Sequence, residues 1–227
     1  MAANRMVWDD TGERKYETGV SQVGLYVYDS AQNKYGSGVP WNGVTAITDS
    51  PSGAEATALY ADNIKYLNLY SNEELGQTIE AYTYPPEFEA CNGAATLTDG
   101  VVIGQQTRST FGLVYKTQVG NDVDGSDYGY KIHIIYGAKA SPSERAYNTI
   151  NDSPDATTMS WEVTTTPVNV DGFKPTASVE IDSTKFADAI GKKKLAAIED
   201  KLYGSNENEP TLLMPNEIAD LVKTITA

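Results

Sequence analysis

The chain has 227 residues, a formal net charge of -14 and a pI near 4.4, which is room for one large β domain with a small appendage or for two small domains. Its largest basic run is Lys192–Lys194, too little grouped positive charge for a conventional reader of nucleic acid. One cysteine, Cys91, rules out a scaffold of internal disulfides, and no apolar stretch nears the ~18 residues that a membrane helix needs; a soluble protein made in a reducing compartment is expected. Tyrosine, at 15 residues against 4 Phe and 3 Trp, suits strand faces and contact surfaces, where one end of the side chain is wet.

Residues 1–20 are polar and charged and read as a mobile arm ahead of a β domain spanning 21–184. Val23, Leu25 and Val27 alternate with Gly24, Tyr26 and Tyr28 in a first strand. Residues 31–63 are rich in Gly, Pro, Asn and Ser, with a short apolar run at Val44–Ile47; they read as a long loop holding at most one short strand, and loops of that length usually have a job. Ile64–Tyr70 is strand-like. In the next strand, 77–84, Ile79, Ala81 and Thr83 face one way and Glu80, Tyr82 and Tyr84 the other. Pro85–Pro86 stops it, and a short helix over 87–91 sets Phe88 and Cys91 three apart on one face. Residues 94–109 are weakly strand-like around Val101–Ile103.

Alternation returns at Phe111, Leu113 and Tyr115 and again at Tyr130, Ile132 and Ile134, and the Gly, Asn and Asp of 120–127 between them predict a hairpin. Met159, Trp161 and Val163, then Ala177, Val179 and Ile181, alternate with polar residues. The two runs read as an antiparallel pair whose connector, with Pro167, Gly172 and Pro175, has to turn. Past Lys185 the period changes. Leu195, Ile198 and Leu202 recur at helical steps before Gly204, and Pro215 opens a second helix. Residues 185–227 are therefore a helical appendage of two short amphipathic helices that need something to pack on.

Chemistry is sparse. His133, the single histidine, lies opposite Tyr130, Ile132 and Ile134 on its strand with no nucleophile motif nearby, and reads as a strand-face residue. Cys91 has no partner for metal or redox work and reads as a buried small hydrophobe. With Asp122, Asp124 and Gly125 at positions three, five and six of a calcium loop, Gly120 and Lys131 would fill the first and twelfth, so an EF-hand is rejected. Phosphate-binding glycine loops, GxSxG and HExxH do not occur. The expectation is a protein that is not an enzyme, with no catalytic residues, cofactor or metal, working by assembly.

Several stretches in order, YGSGVPWNGVTAITDSPSGAEATALYADNIKYLNLYS, IEAYTYPPEFEACNG, the run from IGQQTRSTFGLVYK to MSWEVTTTPV, and GFKPTASVEIDSTK, resemble the major tail proteins of long, non-contractile bacteriophage tails. KKKLAAIEDKLYG and LLMPNEIADL are similar to the end of the same proteins. The resemblance implies a β-sandwich or barrel with a short flanking helix. It also implies hexameric rings that stack into a hollow tube, contact with other tail proteins such as tape measure and terminator, and phage DNA passing without specific binding. The location it implies is the virion tail, assembled in the host cytoplasm, with no membrane.

A ring of identical copies needs a heterologous interface that closes by rotation, and strands joined edge to edge would give it a continuous wall. DNA would slide past an acidic lumen and stick to a basic one. Glu80, Glu162 and Glu180, on the wet strand faces, are the lumen-facing candidates. The loops 31–63 and 116–129, the N-terminal arm and the C-terminal helices are the candidates for contacts between rings. Two competing readings are a tail terminator or neck ring, which forms one ring and stops, and a monomeric carbohydrate-binding module with Tyr26, Tyr28 and Trp41 in its groove.

Overall fold

The structure, a computed structural model, describes residues 6–143, 145–150 and 156–225. It is mainly β. The strands are β1 (Lys15–Asp29), β2 (Lys34–Tyr35), β3 (Val39–Pro40), β4 (Val44–Asp49), β5 (Ser52–Gly53), β6 (Ala56–Ala61), β7 (Ile64–Tyr70), β8 (Glu73–Glu74) and β9 (Gly76–Ala81). After a 3-10 turn at Pro86–Ala90 come β10 (Ala95–Thr98), β11 (Val101–Ile103), β12 (Phe111–Asn121), β13 (Gly125–Ala140), β14 (Met159–Thr164) and β15 (Ser178–Asp182), then helices α1 (Ala189–Tyr203) and α2 (Pro215–Thr224).

The expected hairpin of 111–115 with 130–134 is β12–β13, with Leu113 opposite Ile135 and Tyr115 opposite His133. Its turn is built by Asn121, whose Oδ1 accepts from the backbone N–H groups of Val123 (3.1 Å) and Asp124 (2.6 Å), an Asx turn that closes on Gly125 at φ +58°. β1 lies on the other side of β12 and is longer than expected. Its first residues, Lys15–Thr18, pair with Gln118–Asn121, so much of the predicted arm is sheet. Register shifts between Thr18 and Ser21 and between Ser21 and Gly24 each put one extra residue into β1, and Gln22 takes a left-handed φ of +50° there. Residues 1–5 of that arm lie outside the described residues.

Two sheets share β13. The first, sheet I, runs β1–β12–β13–β15; the second, sheet II, runs from the end of β13 through β14 and β9 to β4. The segments 159–164 and 177–182 are strands as expected, but they do not pair with each other. Both run antiparallel to β13 along one of its edges, β15 against Lys131–Ile135 and β14 against Lys139–Ala140. The connector between them bulges away and is closed by a bridge between Val168 and Thr176. Gly137 permits the change of sheet. Its φ is +59°, its carbonyl accepts from Thr166 N at 3.0 Å, and a Cβ there would lie 2.2 Å from Thr166 O.

Sheet I is buried on both faces. Leu25, Phe111, Leu113 and Ile135 face Ile79, Ala81, Trp161 and Val163 of sheet II, and Trp41 and Phe88 complete that core. Tyr26, Val114, Ile132, Ile134, Tyr136 and Ile181, on the other face, meet Leu195, Ile198 and Leu202 of α1, Leu212, Leu213 and, from α2, Ile218. This is why Phe111–Tyr115 is buried at every position and not at alternate ones. The helices are thus a third layer of one body. α1 is capped by Asp188, whose carboxylate accepts from Gly191 N at 2.6 Å, and α2 by Glu217, which accepts from Met214 N at 2.8 Å. Tyrosines tie the layers: Tyr26 donates to the Leu202 carbonyl and Tyr136 to that of Leu213 at 2.8 Å. Lys116 pairs with Glu199 of α1 and sits 4.4 Å above the Tyr130 ring and 5.0 Å above that of Tyr203.

Each aliphatic side chain in the helical core contributes about 1.5–3 kcal/mol on burial, against a net folding stability of about 5–15 kcal/mol. Removal of residues 205–227 should therefore unfold the β domain and not merely weaken contacts between copies, which circular dichroism and proteolysis of the truncated chain will show. Gly137→Ala should cost about 3 kcal/mol in denaturant unfolding, combining the left-handed backbone with the clash on Thr166. Gly100→Ala, at φ +78° with open space around it, should cost only about 1 kcal/mol.

Candidate assembly surfaces

The residues between β4 and β9, expected to be mostly loop, form a ribbon. β4 pairs with β9, β5 with β8 and β6 with β7, so the chain runs out and back as one long arm. Its tip is the two-residue turn Asp62–Asn63, with φ values of +50° and +65°, the pattern that suits the twist of a tight hairpin. β6 and β7 pair only with each other, and beyond the body the arm is covered by nothing among the described residues. Thr57, Leu59, Leu67 and Leu69 share one face and Ala58, Tyr60, Asn68 and Tyr70 the other. Tyr60 is 73% exposed, Tyr66 69%, Tyr70 68% and Ile64 65%. A smaller hairpin, β10–β11, turns at Asp99–Gly100 and is exposed at every strand position, with Leu97 at 68%. Isolated ribbons of this kind are marginal in water, and contiguous exposed apolar surface marks a contact site.

The open sheet edges are a second feature. β15 pairs with β13 alone, and the Lys15–Ser21 part of β1 with β12 alone, so sheet I ends in unpaired backbone on both sides. An open cleft of about 840 Å³ lies beside Val20–Gly24, between it and Glu199, Asp200 and Tyr203 of α1.

Glu80, Glu162 and Glu180 do not share a face. Glu80 is opposite Ser160 and Glu162 opposite Thr78, and these four side chains line the outer side of sheet II, away from Ile79 and Trp161. Glu180 belongs to sheet I, where a charged row crosses the strands beyond the rim of sheet II. Lys131 Nζ reaches Glu17 at 2.8 Å and Glu180 at 3.1 Å, and the Thr117 hydroxyl donates to Glu17 at 2.5 Å. Since that hydroxyl has one proton, His133 Nε2 is the donor in its 2.8 Å contact with Thr117. His133 lies flat on Tyr115, ring centroids 4.7 Å apart, and Nε2 is also 3.3 Å from Glu17. This row holds the strand-face histidine among ion pairs, with the β15 side partly open.

Other sequence candidates fall inside the fold. Tyr26 is 1% and Trp41 2% exposed, so the sugar-stacking groove loses two of its three rings to the cores; Trp41 Nε1 donates to the Thr83 carbonyl at 2.8 Å. Cys91 is fully buried, and burial pushes its thiol up to about 12. In the acidic turn, Asp122 accepts from Gly12 N at 2.9 Å and Asp124 from Asn121 Nδ2 at 3.1 Å, so these carboxylates serve the turn itself.

No known protein family matches the chain, and no curated protein does. Among solved structures, it is similar to a chain of the anti-feeding prophage baseplate, solved by cryo-EM with six-fold symmetrisation. The identity is 7%, the TM-score 0.36, and the alignment covers 78% of this chain and 97% of that one. It is also similar to a chain of the sheath–tube complex of an extracellular contractile injection system, PVC, in the extended state. There the identity is 11%, the TM-score 0.30, and coverage 71% of this chain and 88% of the other. The likeness is slight, and nothing below rests on it.

Burial pushes the Glu17 carboxyl up, but hydrogen bonds from Lys131 and Thr117 outweigh it and leave the group below its ordinary value of 4.5. A lowered carboxylate stabilises the fold above 4.5, and that contribution fades as pH falls through its folded value. Because Glu17 is 37% exposed, the contribution is under ~1 kcal/mol. Stability should be flat from this group between pH 7 and 5 and should fall below that, and Glu17→Gln should flatten the acid limb in urea titrations.

Proposed function

We propose that this chain is the major tail tube subunit of a long, non-contractile phage tail, a structural protein without catalytic activity, forming hexameric rings that stack into a hollow tube for DNA. The observation that carries the reading is the pair of open edges of sheet I. Its four strands alternate in direction, so β1 and β15 run antiparallel. When a neighbour is generated by rotation, β15 of one copy therefore meets β1 of the next in the antiparallel sense, and alternation continues around a closed ring without a mismatched pair. The sequence resemblance and the exposed apolar arm support the same reading. The outer side of sheet II, with Glu80 and Glu162, is the acidic wall proposed to face DNA. Glu180, engaged by Lys131, is the weaker lumen candidate of the three.

Negative-stain electron microscopy of the concentrated protein, with light scattering on the same sample, tests this. Hollow tubes with a regular axial repeat are expected. Single rings that never lengthen would favour a terminator, and monomers at every concentration would overturn the reading. In assembled virions, Glu80→Lys with Glu162→Lys should slow DNA ejection with tubes intact, and unchanged ejection would remove that wall from the lumen.

A further inference from the structure

Sheet II carries an exposed apolar hairpin at each end. The arm leaves from the Gly76 end of β9. Past Ala81, at the other end, the chain passes through the 3-10 turn Pro86–Ala90 into β10–β11. The small hairpin is held in place at its base, where Gln106 N donates to the Gly93 carbonyl and Ser109 N to that of Ala90, both at 3.0 Å, and Arg108 reaches the Ala140 carbonyl at 3.2 Å.

The charge distribution says what such surfaces can meet. Copies that each carry -14 repel, so a contact between like copies has to be made by uncharged surface. The paired part of the arm has one charged side chain, Lys65, balanced by Asp62 at the turn, and residues 94–104 have only Asp99. These hairpins thus offer neutral, apolar surface on a strongly acidic chain. The arm is also large enough for the task. At about 150–250 Å² for each tyrosine, Tyr60, Tyr66 and Tyr70 with Leu59, Leu67 and Leu69 approach the ~800 Å² per partner of a stable interface. The smaller hairpin offers less, and repetition of the contact around a ring makes up the difference by avidity.

We propose that the β10–β11 hairpin of one copy is the seat for the β6–β7 arm of a second copy, so that copies stack head to tail. Different surfaces meet at this contact, and nothing closes it, so it propagates along an axis. It rests on the tube reading and adds which surfaces join one ring to the next.

Two single-thiol variants test it, Leu67→Cys on the arm and Val102→Cys on the hairpin, both at exposed positions; the native Cys91 is buried and stays silent. Each is assembled alone and in a mixture, then treated with a short thiol-to-thiol cross-linker. Covalent dimers that appear in the mixture and contain one copy of each variant, with little product from either alone, are the expected result. Assemblies that are visible by microscopy but give no mixed dimer overturn this contact and leave the tube reading standing. Monomers at every concentration, with both thiols freely alkylated, overturn both. Val102→Glu provides a second measure: tube length should collapse at least tenfold with rings still formed, and full-length tubes would refute the seat.

Discussion

Consecutive residues of β12 point into different cores. Leu113 packs toward Ile79 and Trp161 of sheet II, while Val114 packs toward the helices, and a Cβ on Gly112 would strike the Leu212 side chain at 2.3 Å. Burial of sheet I on both sides is the constraint from which the rest follows. Its strands must be apolar at every position, a layer must cover each face, and only its edges are left to meet other molecules. The helical end of the chain is therefore part of the fold, held by the Tyr26 and Tyr136 hydroxyls and by the Lys116 and Glu199 pair as well as by apolar contact.

The polar half of sheet I behaves differently. Beyond the rim of sheet II the facing layer ends, and the residues there change from Leu113 and Ile135 to Thr117, Glu17, Lys131 and His133. Water reaches this part of the sheet, so its charges can be held by ion pairs of modest worth without the large penalty of a dry interior. The same region contains the two bulges of β1, which leave an edge strand twisted and irregular. Such an edge is protected from promiscuous pairing until a matching strand arrives.

The strands of the core were legible because Trp161, Val163, Leu113 and Ile134 carry strong side-chain signals. The partnership of 159–164 with 177–182 was misread, since alternation defines a strand's faces and not its neighbour; both stretches fit one edge of β13. The start of β1 was hidden because Lys15–Thr18 is wet on both faces and has no period to see. In the arm the signal was present in Asp62–Asn63 and in the small hairpin in Asp99–Gly100, both turn dipeptides, but the alanines and threonines around them gave no buried face. Of the three glutamates, alternation placed each on a polar face of its own strand. Only the topology separates Glu180 from Glu80 and Glu162, because membership of a sheet depends on contacts distant in sequence.

β13 passes from one sheet to the other without a break at Gly137. The arm grows from sheet II and the open edges belong to sheet I, so a pull on the arm crosses between them through covalent backbone as well as through packed side chains. Tension directed along β13 strains its ladders with β12 and β15 in shear, where many hydrogen bonds share the load, in contrast to peeling, where they fail one after another. A filament made of such links would bend at the contacts between copies before any copy came apart.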